Sequence, residues 1–279
     1  MRDAPPRIAS LPLLGLVLTL AACEPTSGRM VAFDVESLLS TSDGSDPTTF
    51  VNDRGWTLEL EEAQVATGPL YLFADPSNIA RVRPARPVKR MLSALWVPAA
   101  HAHPGDDFFA GGEVLGEWPD QWLLDARTRE PVAVGRAAGV EGHARSAALL
   151  LMPALPGVER AAPDLAGQVA HFRGAAEKDG VRVAFVVGVP AGIDLNAQRV
   201  GGIRADLHLN DDARVRLILL LDAVFAGIDF GALAAGEEAA EATLRAALRI
   251  NLHRASTWRL EGEGGVPMDV ASDPVSASR

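Results

Sequence analysis

The residues best equipped for chemistry lie in one short stretch, His101-Ala102-His103-Pro104-Gly105-Asp106-Asp107, with Glu113 following. In an extended segment, side chains two positions apart point the same way. The imidazoles of His101 and His103 can therefore converge on one ion. Pro104-Gly105 turns the chain, so that Asp106, Asp107 and Glu113 can bring oxygen ligands back toward it. Imidazole with carboxylate suits zinc, copper or nickel, and two or three His with one acid is a usual zinc set. The chain has six His. His171, on a predicted strand, is the expected third imidazole, and His143, in a turn before another strand, is a second candidate. The expected metal ligands are thus His101, His103, Asp106, Asp107, Glu113 and His171, holding copper or zinc. The same His-x-His pair also fits two solvated side chains with no ion.

Other constellations point less clearly to chemistry. Arg204, Asp206 and His208 share one face of a predicted strand. An Asp beside a His can orient an imidazole as a base, and a polar outer strand face has the same composition without any function. The sequence contains no G-x-S-x-G, P-loop, H-E-x-x-H or EF-hand pattern, so no catalytic residue is assigned. Binding or delivery is expected rather than catalysis, with a hydrolase built on a non-local site as a third reading. The net charge of −10 leaves no broad basic face for nucleic acid.

The elements that must position these residues read as β. Trp56, Leu58 and Leu60 alternate with Thr57, Glu59 and Glu61, the period of a half-buried strand. Gly68-Pro69 interrupts it, and Leu70–Phe73 resumes. Strand-like runs recur at 132–134, 147–152, 168–172, 181–189, 200–209 and 215–225. Lys178-Asp179-Gly180 and Asn210-Asp211-Asp212 read as hairpin turns. Glu237 to Leu252 is the one clear helix, with Leu244, Leu248 and Leu252 on one stripe. The pattern predicts a mainly β fold, an antiparallel β-sandwich with one C-terminal helix and a long irregular loop. The expected boundaries are a tether and first strand over 23–48, the sandwich over 49–260 with the loop insertion at 74–110, and a disordered tail over 261–279.

Two resemblances set the chain's address and hint at its cargo. Arg2 and Arg7 precede the apolar run Leu11–Leu20, and Leu20-Ala21-Ala22-Cys23 ends in the chain's one Cys. The run is shorter than the ~20 apolar residues of a spanning helix. This N-terminus resembles a bacterial lipoprotein signal peptide. The resemblance implies removal of residues 1–22, lipid on Cys23 and a protein held at the cell envelope facing the periplasm or exterior. Further on, Arg216–Asp229 runs through apolar alternation to Leu221-Asp222, then Phe225, Gly227 and Asp229. That segment resembles one in periplasmic β-sandwich proteins that partner di-haem peroxidase-like enzymes and bind copper. The resemblance implies copper as a candidate ion. None of Trp56, Trp96, Trp118, Trp122 or Trp258 aligns with that family's oxidised tryptophan, and no functional residue is carried over.

The basic stretch Arg81–Arg90, followed by Met91–Trp96, fits an anionic lipid surface, an acidic protein partner or a solvated loop. Two readings follow. The first is a lipid-anchored metal-binding protein. The second is a cell-envelope interaction or structural lipoprotein whose loop 74–110 contacts a membrane partner.

Overall fold

Alternating side chains build the first long strand. In β1 (Met30–Ser40), Val31, Phe33, Val35, Ser37 and Leu39 are buried, and the residues alternating with them are less so. The structure, a computed structural model, describes residues 28–76 and 113–263. Cys23, His101, His103, Asp106, Asp107, the basic stretch and the tail beyond Glu263 lie outside the described residues. Among the described residues there are thirteen strands. They include β2 (Thr49–Val51), β3 (Thr57–Thr67), β4 (Leu70–Phe73), β5 (Val114–Trp118), β6 (Trp122–Asp125) and β7 (Val132–Val140). The others are β8 (Gly142–Leu150), β9 (Gln168–Lys178), β10 (Val181–Pro190), β11 (Arg199–Leu209), β12 (Arg214–Leu220) and β13 (Trp258–Glu263).

The strands form two sheets, as the sequence pattern predicts. The larger has the order β11-β8-β4-β5-β7-β1-β12-β13. The smaller has the order β10-β9-β3-β2, with β6 added on β3. Between them lies one core built from Phe33, Val35, Leu58, Val65, Phe172, Val187 and their neighbours. One pair departs from the antiparallel rule, since β1 and β12 run parallel. Among the described residues, no helix is long and apolar enough to cross a membrane.

Lys178-Asp179-Gly180 does close a hairpin between β9 and β10. Asp179 and Gly180 both take positive φ, 51° and 76°, as the favoured two-residue turn requires. The second expected hairpin is corrected. β11 pairs with β8, and β12 is flanked by β1 and β13, so Asn210–Asp212 joins strands that do not pair. That turn instead supports β1, because Asp211 accepts a hydrogen bond from the Ala32 N–H at 3.1 Å. The run 215–225 is not one strand either. β12 stops at Leu220, and Leu221–Val224 makes a helical turn, α3, after two earlier short helices, α1 (Pro156–Ala161) and α2 (Leu195–Gln198). The turn sends Leu221, Val224 and Phe225 inward together, which an alternating strand cannot do. A further turn, α4 (Gly231–Ala234), precedes α5 (Ala240–Leu252). α5 is the expected helix, starting after Glu237 and Glu238, so Glu241 alone remains as an acid in its first turn. β13 runs on to Glu263, past the boundary expected at 261.

β3 contains an irregularity that decides which of its side chains face outward. Its pairing with β9 shifts between Leu60 and Glu62. At that place the two backbones approach closely. A Cβ on Gly174 would lie 2.3 Å from the Glu59 carbonyl oxygen and 3.0 Å from Leu60 Cα. Only glycine fits there. Gly174→Ala is therefore expected to destabilise the fold by about 1–3 kcal/mol through overpacking against backbone. Urea unfolding followed by tryptophan fluorescence measures this, and an unchanged midpoint would contradict it.

Candidate metal centre

The shift in β3 decides which side chains face out of the small sheet. Leu58 and Leu60 point into the core. Strict alternation would then bury Glu62. A bulge inserts one residue and changes the phase, so Ala63 and Val65 take the core positions. Glu62 and Gln64 are left on the outer face. On β9, Ala170 and Phe172 enter the core, which turns His171 and Arg173 outward. The register places Gln64 opposite His171, Glu62 opposite Arg173, and Asp125 of β6 opposite Gln64.

A short segment covers this face. α1 and the 3-10 turn Pro163–Leu165 lie over it. Val158, Ala162 and Leu165 pack with Ala154 and Ala66, and Leu123 flanks them. The cover leaves His171 only 6% exposed. Asp164, beside buried Leu165, stays at the solvent edge.

Three ligand atoms converge beneath the cover. One atom each from Glu62, Asp164 and His171 lies within 4.8 Å of the others. His171 Nδ1 is 3.6 Å from Glu62 Oε2, too far for a hydrogen bond. Arg173 Nη1 lies 3.4 Å from Glu62 Oε1, so the other carboxylate oxygen is the one turned to the imidazole. Glu62 Oε2, His171 Nδ1 and Gln64 Oε1 are all buried without a hydrogen-bond partner. Each such atom left unpaired costs about 1–3 kcal/mol, and a bound water or ion can supply the missing partner. Beside them, Gln64 Nε2 donates to Asp125 Oδ2 at 3.5 Å. Burial pushes the Asp125 carboxyl up, but bonds from Arg127 and Gln64 outweigh it and hold the group below the usual carboxylate range. Asp125 is thus a fixed anion at the rim. One imidazole and two carboxylates can hold a divalent transition ion, with the Gln64 amide oxygen or a water as a further ligand.

Of the residues singled out by sequence, His171 belongs to this group. Glu113 is exposed at the entry to β5, where its carbonyl accepts from the Ala74 N–H, and it is not part of the group. His101, His103, Asp106 and Asp107 lie outside the described residues. His143 sits on the outer face of the large sheet, its Nε2 2.5 Å from Asp206 Oδ1. His208 stands 4.0 Å from Glu141. The imidazole beside Asp206 is therefore that of His143, across the strand pair, and not that of His208. Among the described residues, Glu62, Asp164 and His171 are the one such converging group. Sequence reading missed Glu62 and Asp164. The adjacent acids Glu61-Glu62, placed where alternation stops, were the available signal for a bulge. Nothing local marks Asp164.

No family model and no curated protein matches the chain. Among solved structures it is similar to MbnP from Methylosinus trichosporium, at 15% identity and a TM-score of 0.35. The match covers 71% of this chain and 78% of that one. A likeness this slight carries no argument about the site.

The unpartnered atoms give a stability prediction. His171→Leu puts an apolar side chain of similar size in its place and removes a buried nitrogen that lacks a hydrogen bond. The metal-free protein should change by less than about 1 kcal/mol or become more stable, whereas Phe172→Ala should cost about 3–5 kcal/mol. Paired denaturation curves in chelator measure the contrast. A large loss for His171→Leu would show that the imidazole is structural.

Proposed function

We propose that this protein binds a divalent transition metal at Glu62, Asp164 and His171. It does so as a lipid-anchored envelope protein that binds or delivers the ion rather than catalysing a reaction. The observation that carries the reading is the convergence of three potential ligand atoms from separate elements, two of them buried without a hydrogen-bond partner. The ligand set favours zinc or copper(II). It lacks the thiolate or thioether that selects copper(I). Zinc would be held by His171 nitrogen and one oxygen each of Glu62 and Asp164. His101 and His103 are the rival ligands on their spacing alone, and anchoring at Cys23 rests on the N-terminal sequence alone.

Calorimetric titration of the full chain in detergent with zinc and with copper(II) tests the reading. One ion per chain is expected. His171→Ala should weaken binding by about 100-fold, equivalent to ~3 kcal/mol, and Glu62→Gln should weaken it in the same direction. If His101→Ala/His103→Ala abolishes binding while His171→Ala leaves it intact, the ion sits on the loop and the sheet-face site is wrong. If neither metal binds, the envelope-contact reading through residues 74–110 replaces it.

A further inference from the structure

The cover over the metal site is attached to the body in an unusual way. Its beginning is tied down: Gln121 donates to the carbonyls of Met152 and Pro153, each at 3.2 Å, and accepts from Leu155 N–H at 2.7 Å. Its end joins β9, where Ala154 N–H reaches the Gln168 carbonyl at 3.0 Å. Between these points the hydrogen bonds are internal. Glu159 bonds Leu155, Ala162 bonds Val158, Leu165 bonds Ala162, and Ala166 bonds Pro163. Among the described residues, no hydrogen bond or ion pair links 156–166 to the sheet below. Attachment rests on a small apolar cluster, three of whose five buried members are alanines. Cooperative opening of such a segment is easy, because few apolar contacts hold it.

Of the three converging side chains, Asp164 alone is on that segment, whereas Glu62 and His171 belong to the sheet. Resting on the metal-binding reading, we propose that the ion is a clasp. It joins Asp164 of the cover to Glu62 and His171 of the sheet, and it locks residues 156–166 over the site. The coupling works in both directions. The bound ion stabilises the closed cover, and opening of the cover removes one ligand and exposes His171 to water. Release of the ion is therefore gated by local opening of 156–166, with the rest of the sandwich intact.

Hydrogen exchange of the full chain, with zinc and with chelator, tests the clasp, beside calorimetry on the same sample. Zinc should slow amide exchange in 156–166 by about tenfold or more, while β1 and β12 remain unchanged. Asp164→Asn should lose that protection. Leu165→Ala, which keeps all three ligands, should release zinc to a competing chelator about tenfold faster. Circular dichroism checks that both variants fold. Zinc binding by calorimetry with unchanged exchange in 156–166 would overturn the clasp and leave the binding site standing. An unchanged release rate in a folded Leu165→Ala protein would overturn the gating. Absence of zinc binding altogether would remove both.

Discussion

One extra residue in β3 sets the arrangement of the face that carries Glu62 and His171. Side chains on a strand alternate, so a shift of one position exchanges its two faces. Without the bulge between Leu60 and Glu62, the pattern begun by Leu58 and Leu60 would drive Glu62 and Gln64 into the apolar core. With it, Ala63 and Val65 fill the core and the polar residues meet His171 and Arg173 outside. Gly174 permits this by letting β9 approach the bulged backbone, where any Cβ would strike the Glu59 carbonyl. The geometry of the proposed ligand set thus follows from a backbone irregularity. The cover then buries His171, while Asp164 stays at the solvent edge.

The core is closed by a different device. The chain after β12 turns inward, and Phe225 meets the rings of Phe172, Phe50 and Phe185 at centroid distances of 5.3, 5.9 and 5.9 Å. A buried turn leaves carbonyls that need donors. Asn52 supplies Phe225 and Ile228 at 3.2 and 2.8 Å, and Asn251 supplies Val224 and Ala226, both at 2.8 Å. Asp229 accepts from the Trp56 indole at 3.0 Å and from the Gly231 N–H at 2.8 Å. The Gly231 bond, then the Trp56 bond, holds its carboxyl below the usual range. Phe225 and Asp229, the aromatic and the last acid of this segment's pattern, therefore have a structural explanation.

The legible parts of the sequence are those governed by simple periods. Alternation in Trp56–Glu61 and 203–209 and the leucine stripe of α5 specify burial directly, and the packed residues agree. Asp179-Gly180 specifies its turn because few residues accept positive φ. Pairing partners were less legible. Asn210–Asp212 has hairpin composition, yet β13 arrives from the far end of the chain to lie beside β12. Such a long-range choice leaves no local mark. The site divides in the same way. His171 was visible as a scarce residue type on a strand. Glu62 was hidden because period-2 reading fails at a bulge, and Asp164 because its position depends on how Leu165 docks.

The most direct test is anomalous diffraction from crystals grown with zinc, recorded above and below the zinc edge. The account predicts a peak about 2.0–2.2 Å from a His171 ring nitrogen and from one oxygen each of Glu62 and Asp164. A map with no peak at that point, or with its strongest peak at other side chains, would contradict it.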